Sequence, residues 1–464
     1  MIKKEIDEFN IKNLKERFAV QKIKNFIEND KNIFGKILVL YGLQRTGKTT
    51  IMEQVVKFYN KTKKCAFYEI TTNDDMASIK QCLFSEKLKG TEIICFDEIT
   101  RAEDFIENSS MLPDIFAKEN MKILVTGDDS LGFVLAEKTE LFDRTERIRT
   151  TYIPYAEYNQ VLNINDIDDY ILHGGVMYSG ECNYQIKDYE TAKKYLDGAV
   201  AENIFRSINQ DFCENPLKKF ALNEIKIIIE KLVEFYCENI KTKDIQEEFK
   251  NTSVTDDIIK IIKQYLAEID LLSSVKHKEF YYTESLEWEE TPEKREIYFV
   301  QPAIKFFHLQ KLNVISNAEK SFTSLNTDEK IKSLMLQEII LFDTTKDLPV
   351  SRYYVCKISF FQEDKKVGNY DMLVYDKIDN KHWLFEIKNS IDNIENQENH
   401  LTNKVFNDVM EQKFGKCASK IILYKGISRL SNSNILYINI SDFLLLTKKH
   451  KDITQVLNDV CKFN

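Results

Sequence analysis

The chain has 464 residues, 43% of them hydrophobic and 30% charged, with a formal net charge of −9. That length exceeds one ordinary core and points to three domains, and the negative balance excludes a uniformly basic nucleic-acid binder while leaving room for a local basic channel. No apolar run approaches the roughly 20 residues of a membrane span.

The N-terminus has no apolar core and so does not read as a signal peptide. Nine cysteines without paired spacing argue against a zinc module or a disulfide framework and for a reduced, cytoplasmic setting.

The first chemical signal lies at 42–50. The apolar run 36–41 predicts a buried parallel strand. It leads into Gly42-Leu43-Gln44-Arg45-Thr46-Gly47-Lys48-Thr49-Thr50, and 51–56 leaves with helical spacing. Strand, glycine loop and helix give the phosphate-binding pattern G-x-x-x-x-G-K-[ST], whose backbone N–H groups face an anion. The expected ligand is ATP, with Lys48 on the β- and γ-phosphates and Thr49 on Mg²⁺.

Glu92-Ile93-Ile94-Cys95-Phe96-Asp97-Glu98 then predicts a strand ending in two acids. Asp97 would share the Mg²⁺ site with Thr49, and Glu98 would polarise the attacking water. Further strands are expected at 65–70 and 122–126. Thr126 is the candidate contact to the γ-phosphate, with Asp128 and Asp129 as alternatives and plain strand termination as the bland reading. Arg144 is the candidate arginine finger, in cis or in trans, and Arg101 the weaker one.

From 190 to 312 the pattern is mostly helical. Helices are expected at 222–237, 242–249 and 253–266, followed by strand-like pieces at 272–275 and 296–300, the order of a winged helix. DNA contact by this module is opposed by its acids: Asp256, Asp257, Glu268 and Asp270 on the third helix, and Glu284, Glu287, Glu289, Glu290 and Glu293 in the wing region. A lid or interdomain role fits better.

Residues 330–464 return to an α/β pattern. A helix carries Glu338, one strand carries Asp371, and a second ends Phe385-Glu386-Ile387-Lys388. Asp371 and Glu386 on neighbouring strands would hold Mg²⁺ or Mn²⁺, which activates water at phosphodiesters. Lys388 falls on the same face as Glu386 by strand alternation, and Glu338 would complete the metal shell. A basic stretch at 401–430 would line a phosphate channel or simply face solvent.

The phosphate loop, Phe96-Asp97-Glu98-Ile99, Val125-Thr126-Gly127, Arg144, the segment ending Pro154-Tyr155-Ala156-Glu157 and the Gly174-Gly175 pair together resemble the archaeal and bacterial AAA+-type ATPases with a C-terminal nuclease-like domain. Asp128, Asp143 and Val176-Met177 depart from that pattern. Glu338, Asp371, Glu386 and Lys388 match the motif of the restriction-endonuclease-like fold. The resemblance implies an α/β P-loop ATPase core over 1–160, a helical and winged-helix-like lid over 161–315 and a nuclease-like domain over 316–464. It implies Mg²⁺-dependent ATP hydrolysis controlling chemistry on DNA. The alternative is an ATP-dependent switch or scaffold whose inactive nuclease-like domain binds DNA or a partner protein; on either reading a homo-oligomer is a further expectation.

Overall fold

The computed structural model describes the chain except residues 10, 12–13, 30–34, 120, 128, 151–152, 177–185, 211–214, 239–241, 251, 293–294, 320–326, 392–393 and 462–464. Asp128, Met177 and Glu293 therefore lie outside the described residues.

The first sheet contains β1 (Ile2–Lys3), β2 (Ile37–Tyr41), β3 (Cys65–Glu69), β4 (Ile93–Asp97), β5 (Lys122–Gly127) and β6 (Thr145–Arg149), in the order β1-β3-β4-β5-β2-β6. β2 to β6 run parallel and β1 pairs antiparallel with β3. These strands are near-continuous apolar runs because helices cover both faces. Leu38, Leu40, Cys95 and Leu124 belong to the core shared with helices Phe18–Glu28 and Lys48–Tyr59, and Val39, Phe96 and Val125 to the core on the other side. Burial of each such aliphatic side chain stabilises by about 1.5–3 kcal/mol.

The position of β5 between β2 and β4 fixes the chemistry. The registers Leu40↔Thr126 and Phe96↔Val125 bring the carboxyl ends of the three strands level. The glycine loop after Tyr41, the acids ending β4 and the Thr126-Gly127 end of β5 thus share one edge, where ligands of parallel sheets bind.

Helices Leu222–Glu238, Thr242–Glu248 and Asp256–Glu268 precede β7 (Leu272–Tyr282), β8 (Trp288–Glu290) and β9 (Arg295–Val300). The third helix buries Ile258, Ile259, Ile262, Tyr265 and Leu266 along one stripe. Helices Pro302–Glu319 and Thr327–Asp347 lead to β10 (Tyr353–Gln362), β11 (Lys365–Asp376), β12 (Lys381–Ile387), β13 (Lys416–Tyr424), β14 (Arg429–Leu430) and β15 (Leu436–Asn439).

The expected boundary at 315/316 falls inside a helix, and one sheet runs across it. β7 is far longer than the 272–275 segment read from the sequence. It pairs antiparallel with β8 and β9 and parallel with β10, from Lys276/Cys356 to Tyr281/Phe361. The second sheet therefore runs β14-β15-β13-β12-β11-β10-β7-β8, with β9 also on β7. The apolar core is likewise continuous: Val39 and Phe96, Ile228 and Leu232, Phe299, Ile339 and Phe385 belong to one buried cluster.

Candidate functional site

At the first site, the loop after β2 turns through residues in the left-handed region. Arg45 has φ +62° and Gly47 φ +83°. Gly42 has φ +150°, and an added Cβ would sit 2.2 Å from Thr150 O. Helix Lys48–Tyr59 begins at Lys48, directing its first N–H groups into the loop. Lys48 is 6% exposed and its Nζ donates to the carbonyls of Gly42 (3.0 Å) and Leu43 (2.9 Å), which it would exchange for phosphate oxygens. Thr46 is buried, Arg45 is exposed, and Gln44 and Thr50 are half-buried.

Thr49 Oγ1 donates to Asp97 Oδ2 at 2.8 Å, joining the two residues assigned to Mg²⁺. Asp97 is 2% exposed and its Oδ1 has no hydrogen-bond partner. Burial pushes its carboxyl above the usual carboxylate range against the Thr49 bond. A buried carboxylate oxygen without a donor, beside a hydroxyl, fits a hard divalent cation. Bound Mg²⁺ would neutralise phosphate charge there.

Glu98 leaves β4 with φ +60°, and its Oε2 lies 3.8 Å from Arg101 Nε. Thr126 is fully buried at the end of β5, and its Oγ1 also lacks a hydrogen-bond partner. Asp129, the alternative, is instead the cap of helix Ser130–Lys138, accepting from Gly132 N at 3.0 Å, and is bonded to Ser207.

Arg144 lies away from its own loop, against the cis option. Ile37 N donates to Arg144 O at 3.0 Å, which places Arg144 level with the amino end of β2. The loop lies at the other end of that strand, about 16 Å away at roughly 3.3 Å per residue. Its Nη1 instead bonds Asp114 Oδ2 at 2.7 Å. Arg144 cannot serve its own nucleotide, whereas Arg101 stands at the correct edge.

Sequence reasoning missed a clamp on the loop. Arg17, 5% exposed, donates from Nη1 to Thr46 O (2.9 Å) and from Nε to Glu157 Oε1 (2.6 Å). Glu157 Oε1 also accepts from Phe18 N at 2.9 Å. Thr46 and Thr150 share a hydroxyl bond of 2.9 Å, and Tyr195 OH donates to Gln44 O at 2.8 Å. The only sequence signal was Glu157 in its motif segment; Arg17 carries none.

At the second site, β11 and β12 pair Met372 with Phe385 and so set Asp371 beside Glu386. Lys388 Nζ lies 3.2 Å from Glu386 Oε2 and 3.8 Å from Asp371 Oδ2. Asp371 accepts from Asn369 Nδ2 (3.1 Å), Ile387 N (2.9 Å) and Gln337 Nε2 (3.4 Å). Glu386 is fully buried, and neither carboxylate oxygen has a hydrogen-bond partner. Burial, reinforced by Asp371, pushes its carboxyl upward. This donor set fits Mg²⁺ or Mn²⁺, and bound metal would supply water activation.

Glu338 does not join the pair. It is 7% exposed and bonded to Lys305 Nζ at 2.6 Å, and among the described residues no three His, Cys, Asp or Glu side chains converge as metal ligands. Gln337, one residue earlier and about 100° around the helix, is the side chain that reaches Asp371. In the basic stretch, Lys425 is committed to Asp168 (2.6 Å) and Arg429 to Glu395 (2.8 Å).

The family described as AAA domain matches residues 35–159. Residues 35–159 are thus similar to AAA domains. The match spans the glycine loop, Asp97 and Thr126, and supports ATP binding and hydrolysis by this segment, typically with Mg²⁺. The chain is 25% identical over 277 residues to an uncharacterized protein, MJ1544, of Methanocaldococcus jannaschii. That match covers 53% of this chain and 59% of the relative's length. Among solved structures, the chain is similar to AMPPCP-bound DnaA from Aquifex aeolicus (13% identity, 57% of this chain and 90% of that one, TM-score 0.24) and to the DnaC helicase loader (15%, 30% and 95%, 0.21). Drosophila ORC bound to AT-rich DNA and Cdc6 gives 10%, 63% and 90%, with a TM-score of 0.22. Among the described residues, no helix is long and apolar enough to cross a membrane.

Proposed function

We propose that the AAA domain is the control element of a nuclease acting on DNA, with ATP and Mg²⁺ at the first site and Mg²⁺ or Mn²⁺ at the second. The observation that carries this reading is Glu386: a fully buried carboxylate beside Asp371, faced by the Lys388 amine at 3.2 Å and by no other close donor among the described residues. Two buried carboxylates share one lysine amine, which leaves negative charge that a divalent cation would neutralise.

Control is supported by what touches the loop. Helix Tyr155–Leu162 carries Glu157, which holds Arg17 on Thr46 O. The same helix carries Tyr155, whose OH contacts Ser441 Oγ at 2.8 Å in the C-terminal domain. Lys425–Asp168 is a second strut between the two. Loop movement on ATP binding would pull on Arg17 and hence on this helix. The middle module is read as a winged-helix-like lid, with Tyr195 on Gln44 O as its hold on the loop. Arg144 would then act on a neighbouring copy in a homo-oligomer.

The second reading is an ATP-dependent switch whose nuclease-like domain only binds DNA or a partner protein. The capture of Glu338 by Lys305 favours it, since the carboxylate pair lacks a third acidic ligand.

The deciding experiment incubates linear and supercoiled DNA with the full chain, Mn²⁺ or Mg²⁺, and ATP or a non-hydrolysable analogue. Cleavage that is lost in Asp371→Ala and changed in Lys48→Ala supports the controlled nuclease. No cleavage under any metal or nucleotide refutes it in favour of the switch.

A further inference from the structure

Beside the carboxylate pair lies a recess of about 300 Å³ that opens off the second site. Two lining residues connect it directly to the acids. Asn369 donates to Asp371 Oδ1 at 3.1 Å, and His400 Nδ1 lies 4.0 Å from Glu386 Oε1. Lys366, Val367, Asn399, Asn403 and Phe406 also line it. Gly368 keeps the recess close to the aromatic ring: an added Cβ would come within 2.3 Å of Phe406.

The chemistry of this wall is specific. Phe406 is half-buried, fixed by stacking on Phe360 with ring centroids 4.2 Å apart and braced edge-on by Trp288 at 5.6 Å. A fixed aromatic ring next to amides and a lysine is what unpaired bases and their phosphates use: a π-face, hydrogen-bonding groups for the base edge, and a cation. A base inside a duplex is stacked on both faces and cannot offer its own. The volume decides the same way. It stands at the bottom of the roughly 300–1,000 Å³ range of small-ligand pockets, whereas the duplex major groove alone is about 12 Å wide.

We infer that the recess receives one unpaired nucleotide, so that the second site takes single-stranded or frayed nucleic acid and not intact duplex. The stacked base on Phe406, with Lys366 on its phosphate, would hold the adjoining phosphodiester toward Asp371 and Glu386. This rests on the nucleic-acid reading of that site but not on its catalytic competence.

The test is binding by the full chain in Ca²⁺, with labelled 12-mers as single-stranded DNA, single-stranded RNA and blunt duplex DNA, read by fluorescence anisotropy. Wild type should bind at least one single strand tenfold or more tighter than duplex; the DNA and RNA arms tell which sugar is preferred. Phe406→Ala should erase that ratio. Lys366→Ala and Asn399→Ala, at exposed positions that do not threaten folding, should each reduce it at least threefold. Equal or tighter duplex binding overturns the inference, as does a ratio that survives in Lys366→Ala and Asn399→Ala. A parallel incubation in Mn²⁺ separates the two claims. Absence of cleavage with the binding ratio intact removes the nuclease reading and leaves the recess assigned.

Discussion

Removing the Arg17 guanidinium should loosen the ATP-binding loop from a distance. The pair Arg17–Glu157 is buried, at 5% and 6% exposure, and Arg17 also holds Thr46 O. Deleting one partner of a buried ion pair costs roughly 3–5 kcal/mol, because the other charge is left without its counterion. Phe18 N continues to donate to Glu157 Oε1 in Arg17→Met, so the lower end, about 3 kcal/mol, is expected. The double variant Arg17→Met/Glu157→Leu removes both charges and should cost less than the two single changes together, with a coupling of about 2 kcal/mol. The lost bond to Thr46 O, made by a charged donor, is worth about 1.5–3 kcal/mol. Felt at the loop, that lowers ATP affinity tenfold or more, at 1.4 kcal/mol per decade. Both tryptophans, Trp288 and Trp383, lie in the second sheet, so intrinsic fluorescence would miss the event. Hydrogen exchange of the amides of helix Lys48–Tyr59 reports it directly, alongside titration with a fluorescent ATP analogue. Lys22→Met, at an exposed position in the first turns of helix Phe18–Glu28, is the control and should stay within about 0.5 kcal/mol of wild type. If Arg17→Met matches Lys22→Met in both assays, the clamp does not exist.

Three further outcomes are expected. Gly42→Ala forces a Cβ to 2.2 Å from Thr150 O at a left-handed φ and should destabilise by more than about 1 kcal/mol, with loss of ATP binding in the same titration. Burial lifts Asp270 to about 6 despite its 2.7 Å bond from Arg149. The folded state therefore holds this proton more tightly than the unfolded chain, and the stability it confers is complete below about pH 4 and lost as pH rises through about 6. The shift of roughly two pH units is worth about 3 kcal/mol at 1.36 kcal/mol per unit. In urea titrations the gap between wild type and Asp270→Asn should change by about that amount between pH 4 and 6.5; parallel profiles would refute it. Asn also tolerates the φ of +58° at this position. Arg144→Ala, being at the far end of β2, should leave ATP affinity within twofold of wild type by calorimetry.

Local pattern made the first site legible. The glycine loop, the doubled acid after an apolar strand and the strand inserted between them are short-range signals, each read within ten residues. Asp371, Glu386 and Lys388 were legible for the same reason, since strand alternation sets their side. Glu338 was misplaced because the middle of helix Thr327–Asp347 is buried nearly all round. Met335, Leu336, Ile339, Ile340, Leu341 and Phe342 are all buried, so no amphipathic stripe told Gln337 from Glu338. Arg144 directly precedes β6, so strand polarity puts it at the amino edge of the parallel sheet, away from its own loop, a point that motif order left open between cis and trans. Arg17 and Glu157, 140 residues apart, meet only in the folded chain. The β7–β10 pairing is parallel and spans some 80 residues, so no turn signal announces it.

That pairing also dictates where the chain can be cut. Residues 354–361 read Tyr-Val-Cys-Lys-Ile-Ser-Phe-Phe, a strand with a single charge. β7 covers its outer edge, and Cys356, Ile358 and Phe360 are fully buried. A fragment starting at 316 would strip that cover and present a long apolar edge, the template on which strands of separate molecules aggregate. A soluble C-terminal fragment must instead begin ahead of Leu272 and carry the wing with it.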